Sequence, residues 1–412
     1  MERLTKGALA AFLLALLAGA ALAGEEVTKD GVLHVMNGSQ PSGKNETVTL
    51  QEVWRHGGED DEDFFGLITQ CVVGQDGNVY LLDTRMSEVP VYSPTGERVA
   101  TLSREGDGPG ETRTPSNLLF MPDGSLGIVQ VFPGKITKVG LDGTPVGVVE
   151  VGGDPTAGGL LQLFDCVPAG DQLIVAAESI HPEPPTAQTR SNFVAAFDQD
   201  GKEKVRFFEH SVHWDFTNFT FDEAGNTRID FRKVAAGQDG RVYIAVDRND
   251  YRINVYTPDG KLERVIEREY VSRDRSEQDY NLLKSILETQ LAQIPNAKIV
   301  IGKNEPDIGA VSFGRDGNLW VTSSRSGFDE PEGTLITWDV FNPDGHFIKT
   351  VSARCEGDGE NDILFWTPEG NAVMVTGFTE GMRAFQSRGA GDEDDSGDAA
   401  PMEVVYLKVA GN

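Results

Sequence analysis

The chain has 412 residues, 65 Asp and Glu against 36 Lys and Arg, and a formal net charge of -29. An acidic excess of that size argues against partners bound by neutralising phosphate, so neither nucleic acid nor an anionic membrane surface is expected. With 39% hydrophobic residues the chain can build a core, and 47 Gly and 20 Pro favour a turn-rich β protein over a helical one.

Arg3 and Lys6 precede a short apolar stretch at 8–21, and Ala21-Leu22-Ala23 has the small-x-small pattern of a cleavage site. Residues 1–23 therefore read as a signal peptide, and the expected location is periplasmic or extracellular. Leu22-Ala23-Gly24 is followed by Glu25 where a lipid attachment site needs Cys, so no lipid anchor is expected. No later apolar run is long enough for a membrane span. Residues 24–44 read as an N-terminal extension and 45–412 as one domain. The sequons at Asn37, Asn45 and Asn218 carry meaning only in a eukaryotic secretory route. Cys71, Cys166 and Cys355 are too few and too dispersed for a disulfide framework.

From 68 onward the chain repeats itself. Val72-Val73-Gly74-Gln75-Asp76-Gly77-Asn78-Val79-Tyr80 recurs as Val234-Ala235-Ala236-Gly237-Gln238-Asp239-Gly240-Arg241-Val242-Tyr243 and as Val311-Ser312-Phe313-Gly314-Arg315-Asp316-Gly317-Asn318-Leu319-Trp320. Asp-Gly between two alternating apolar runs marks a tight hairpin, because Gly supplies positive φ at no steric cost. A second hairpin follows each copy, as in Tyr92-Ser93-Pro94-Thr95-Gly96, Tyr256-Thr257-Pro258-Asp259-Gly260 and Phe341-Asn342-Pro343-Asp344-Gly345. With looser copies at 120–129, 167–175 and 365–375 there are six such units, each of four antiparallel strands. The expected fold is all-β, a six-bladed β-propeller. At roughly 60 residues per unit the blades exceed the usual ~40–45, so they carry inserts. The last unit has three convincing strands, and the orphan strand at 47–55 is expected to close it.

Gly106-Asp107-Gly108-Pro109-Gly110-Glu111, the Asp-Gly-Asn-Val-Tyr turns and Val53-Trp54-Arg55 resemble the exported six-bladed β-propeller family related to NHL repeats. The resemblance spans the mature chain and implies the fold; that class includes scaffolds, ligand binders and a few lyases and hydrolases, so it does not imply one activity.

In such a fold the short Asp-Gly hairpins open on one face. The long inserts at 181–191, 209–232, 270–306, 327–333 and 378–402 open on the other, which is the expected binding face for a protein partner or small-molecule ligand. Within 270–306, Leu282, Leu283, Ile286, Leu287, Leu291 and Ile294 fall at helical spacing, with Ser276 as cap and Pro295 as stop. Such a stripe packs over the rim or docks a partner.

Counting eight residues from the first-hairpin Gly places Arg85, Arg248 and Arg325 at one equivalent position, with Phe132 and Phe378 there in units two and six. Three guanidinium forks would hold an anion and two rings would stack on a ligand. The same arginines would equally be neutralised by Asp83, Asp247 and acidic loops. His181, His210 and His213 fall in insert segments and are candidate zinc ligands for a metal-dependent lyase or hydrolase, or solvated loop residues. Asp392, Asp394, Ser396, Gly397 and Glu403 fit positions one, three, five, six and twelve of a calcium loop, although Pro401 intrudes. The divalent metal would be zinc or calcium, and no cofactor is certain. There is no Gly-x-Ser-x-Gly elbow and no His-Glu-x-x-His motif, so the primary expectation is a binding or scaffold protein.

Overall fold

A computed structural model describes residues 24–152, 159–226, 231–387 and 400–411. The signal-peptide reading and the calcium positions Asp392, Asp394 and Ser396 lie outside the described residues.

The chain folds into small antiparallel sheets. The first unit runs Ile68–Val73, Val79–Asp83, Val89–Tyr92, Arg98–Leu102, and the second Pro115–Phe120, Leu126–Gln130, Lys135–Val139, Pro145–Glu150. The third runs Leu160–Ala169, Gln172–Glu183, Ala187–Phe197, Glu203–Asp215. The fourth contains Val234–Ala236, Val242–Ile244, Arg252–Tyr256 and Leu262–Arg268, and the fifth Ile308–Phe313, Leu319–Ser323, Thr334–Phe341 and Phe347–Arg354. Ile363–Trp366, Ala372–Val375 and Glu403–Val409 form three strands of the sixth, and Glu46–Gly57 supplies its fourth by pairing antiparallel with Glu403–Val409. The start of that strand also pairs parallel with Phe347–Arg354, so the fifth and sixth units form one eight-stranded sheet.

Strand alternation explains how the units pack. Successive side chains point to opposite faces of a sheet. Val79 and Leu81 thus enter a core shared with the sixth unit, while Tyr80 and Leu82 enter one shared with the second. The same rule gives cores between units two and three, three and four, four and five, and five and six. Packing on both faces is why a second strand such as Val79–Asp83 is buried at every position. Truncating a side chain such as Leu81 to Ala would cost about 2–5 kcal/mol, by lost burial plus the cavity left behind.

Both hairpin types obey local chemistry. Gly77 has φ 78°, and the Asp76 carboxylate accepts the Asn78 N–H at 3.0 Å. Asp239 and Asp316 do the same for Arg241 and Asn318. The second hairpins also dock on the preceding unit. A Cβ on Gly96 would stand 2.8 Å from Trp54, and one on Gly201 would stand 2.0 Å from the Glu150 carbonyl oxygen.

Residues 24–44 turn out to be largely ordered strand. Glu25–Lys29 and Val32–Asn37 form a hairpin that adds in parallel to Leu262–Arg268, widening the fourth unit to six strands. Asn37 is buried there, donating to the Glu267 and Gly345 carbonyls and accepting the Phe347 N–H. It is a structural tie between the fourth and fifth units.

Two stretches expected as loops are strand. The 181–191 segment continues a long hairpin whose register runs from Leu173↔Phe197 to Glu183↔Ala187, and Glu203–Asp215 pairs along its whole length. Pro182, Pro184 and Pro185, which offer no ladder N–H, disguise the hairpin as a loop in the sequence. The expected helix is Glu277–Gln290, with the Ser276 hydroxyl accepting the Asp279 N–H at 3.0 Å. Leu291, just past it, packs with Trp214 and Phe219 in a seventh core between the insert and the extended third unit. All three cysteines are free, and burial pushes the Cys71 and Cys166 thiols far above their ordinary value.

Candidate functional site

The links from second to third strand and from each unit to the next leave from one end of the sheets; the Asp-Gly hairpins leave from the other. At the insert end, buried Asp83 accepts four backbone N–H groups, those of Gly66, Leu67, Arg85 and Met86. The carboxylate is thereby occupied in shaping the backbone, and does not neutralise the Arg85 guanidinium. Phe64, Met86, Phe132, Leu160, Phe231 and Val271 all lie in or beside these links and are exposed. Among the described residues, the hairpin turns expose one large apolar side chain, Leu141.

The three arginines in register differ in what holds them. Arg85 is exposed and has no ion pair among the described residues. The Arg248 side chain is only 9% exposed, donates to the Asn304 carbonyl at 2.6 Å and lies 3.3 Å from Glu223. Glu223 also accepts both terminal nitrogens of Arg275 at 2.8 and 3.1 Å, and the Gly302 N–H. Arg325 donates to the Val271 carbonyl at 2.9 Å and pairs with Asp329 at 3.0 Å. Arg248 and Arg325 thus tie both ends of the 270–306 insert to the units beneath. Phe132 is open to solvent, whereas Phe378 opens the Phe378–Ser387 helix and packs with Met382 and Phe385 on the core between the sixth and first units.

The histidines do not converge. His210 and His213 stand on one strand three residues apart and so face opposite sides. The His210 Nε2 is 3.0 Å from the Gly225 carbonyl, and the His213 Nδ1 is 3.7 Å from Glu183. His181 and His213 both align with Thr189, one on each side, with a whole strand between them. Glu403, the last calcium position, opens a strand and is ion-paired with Arg55.

Two constellations escaped the sequence reading. On the first strands, a one-residue bulge recurs after Ile68, Pro115, Leu163 and Ile308. Next to one of them Asp165 is buried, accepting from Asn117, the Cys166 N–H at 2.8 Å and the Arg232 N–H at 2.9 Å. Burial pushes this carboxyl up to about 6, against the pull of those donors. The second constellation joins His56 to the acidic run after it: its Nδ1 lies 3.2 Å from Asp61 and 3.6 Å from Asp63. The backbone N–H of Asp63 and the other donors around Asp61 hold that carboxyl below its ordinary value. Both partners were visible in the sequence, but nothing local showed that the chain turns back on the histidine.

No protein-family model and no curated protein matches the chain. Solved structures do. A member of the DUF4221 family from Bacteroides vulgatus is 12% identical with TM-score 0.51, covering 89% of this chain and 99% of its own. An exported protein from Bacteroides fragilis is 11% identical, with TM-score 0.44 and coverage of 91% and 99%. A streptogramin B lyase is 10% identical, with TM-score 0.43 and coverage of 87% and 97%. The structural neighbours are β-propeller proteins, and the likeness is one of fold alone.

Proposed function

We propose that the six units are the blades of a six-bladed propeller of NHL-related type, and that the exported protein is a binding module recognising a protein partner or small-molecule ligand on its insert-bearing face. The observation that carries this reading is that Phe64, Met86, Phe132, Leu160, Phe231 and Val271 are exposed in or beside the links of that face, since exposed apolar groups gathered at one end of a scaffold mark contact surfaces. Arg85, exposed and without an ion pair among the described residues, stands beside Met86 in the same link and would supply the polar contact, with Phe132 as the stacking surface. Binding is favoured over a metal-dependent lyase or hydrolase because His210 and His213 face opposite sides of one strand.

The test compares the protein, its Met86→Glu/Phe132→Glu variant and a Leu141→Glu control as baits for the extracellular or periplasmic fraction of the source. A partner or ligand retained by the first and the control, and lost by the face variant, supports the reading. Equal retention by all three sinks it.

A further inference from the structure

His56, Asp61 and Asp63 bring three potential ligand atoms together. The His56 Nε2 is 2.6 Å from the Gly96 carbonyl oxygen, which only accepts, so Nε2 carries a ring proton, and in the neutral ring Nδ1 is a lone pair. That lone pair faces a carboxylate oxygen of Asp61 at 3.2 Å and one of Asp63 at 3.6 Å, and all three atoms lie within 4.8 Å of one another. Such a set is held either by a second proton on the ring or by a metal ion.

The spacing accommodates an ion: the 3.2 Å contact to Asp61 lies at the long end of the N–H···O range. Ligand atoms around a tetrahedral ion with bonds of about 2.1 Å stand about 3.4 Å apart, and the two observed separations straddle that value.

The surroundings are those of a built ligand set. The hydrogen bond from Nε2 to a backbone carbonyl is the usual device that fixes a metal-binding histidine's tautomer and ring plane. The His56 ring is also stacked on Tyr92, at 4.8 Å between centroids, and lies tilted against Trp54, at 5.5 Å. Asp63 accepts the Tyr92 hydroxyl at 2.8 Å and Arg98 at 2.5 Å, while Asp61 accepts the Gly57 and Asp63 N–H groups at 3.1 Å each. Beside them opens a concavity of ≈ 480 Å³ lined by Asp61 itself, Gly57, Glu59, Asp60, Glu62, Glu403 and Arg55; Arg55 pairs with Glu403, so the field left by the other carboxylates is negative and there is room for water.

We propose that His56 Nδ1, Asp61 and Asp63 bind one first-row divalent ion of the zinc class, with water completing its shell toward the concavity. One imidazole and two carboxylates suit such an ion better than calcium, which prefers oxygen alone. Three different elements meet there: His56 on the strand that closes the sixth unit, the two aspartates on the crossover to the first unit, and Gly96 on the first unit's outer hairpin. The ion would therefore clamp the seam where the ends of the repeat array meet.

The experiment is calorimetric titration of the full chain, stripped with chelator, using Zn²⁺, Mn²⁺ and Ca²⁺, with the thermal midpoint read in parallel. The expected result is one equivalent of Zn²⁺ at micromolar Kd or tighter, weaker Ca²⁺, and a midpoint that rises with Zn²⁺. His56→Gln and Asp61→Asn should each weaken Zn²⁺ at least tenfold, whereas His210→Ala/His213→Ala should bind as the parent does. Because Asp61 is exposed, its variant keeps the test valid even if His56→Gln misfolds. No stoichiometric Zn²⁺, or unchanged affinity in Asp61→Asn, would overturn the proposal.

Discussion

The two ends of the units solve different problems. At the hairpin end one solution is repeated: a Gly at positive φ, an Asp, Asn, Ser or Thr accepting backbone N–H groups, and a fit against the neighbouring unit. Thr257 accepting the Lys261 N–H and Asn342 accepting the His346 N–H are the same device with different atoms. At the insert end, positions in strict register have diverged in partner and purpose. Arg85 is exposed with no ion pair among the described residues, Arg248 shares Glu223 with Arg275, and Arg325 reaches the backbone at Val271. Register transmits backbone position, and the side chain's role is then set by whichever insert lies above it.

That contrast breaks most visibly at Glu223. Glu223→Gln would remove the carboxylate that the Arg248 and Arg275 guanidiniums share, leaving Arg275 with Glu305 at 3.5 Å, and a loss of about 3 kcal/mol in denaturant unfolding is expected. A loss below about 1 kcal/mol would mean the insert is not anchored there. At the hairpin end, Gly201 and Gly124 have nearly equal φ of 79° and 82°, but a Cβ meets the Glu150 carbonyl at the first and nothing at the second. Gly201→Ala should therefore cost about 3 kcal/mol and Gly124→Ala about 1 kcal/mol. Equal costs would show that the turn matters and the docking does not.

Asp165 tests the first strands. Between the ordinary carboxylate value and about 6 the native protein holds a proton that the unfolded chain has released. The stability this contributes is fully present at the acid end of that window and is lost as pH rises through about 6. The stability of the parent minus that of Asp165→Asn should fall by about 2 kcal/mol between pH 4 and pH 7. A difference that stays flat in denaturation curves across that range would remove the assignment. The smallest effect belongs to Arg85→Ala, expected to change stability by less than about 0.5 kcal/mol, whereas Arg248→Ala, at the same register, should cost about 2 kcal/mol or more. Similar losses in both would restore the symmetry that the sequence suggested.

Much of the fold was legible. The Asp-Gly turns, the capping Ser276 and the closing strand at 47–55 all depend on conformational demands met within a few residues. The pairing of Glu46–Gly57 with Glu403–Val409 followed from counting strands and finding the last unit one short. The extended hairpin of the third unit was hidden by its prolines. The hairpin at Glu25–Lys29 and Val32–Asn37 was hidden because its partner, Leu262–Arg268, lies far along the chain. The site was less legible than the fold. Phe378 and Phe132 occupy equivalent positions, yet one fills a core and the other meets solvent.

What the sequence alone determined about this protein is its repeat: turns, strand count, apolar alternation and the side on which the inserts emerge. These follow from local backbone preferences and from a period of two that any strand must obey. Only the tertiary structure decided which charges are neutralised and which side chains converge. Arg248 meets Glu223 and the end of an insert, and His56 meets the Gly96 carbonyl of a different unit. Those outcomes depend on distances across the fold, where a single ångström separates an ion pair from an open ligand, and no local pattern records them.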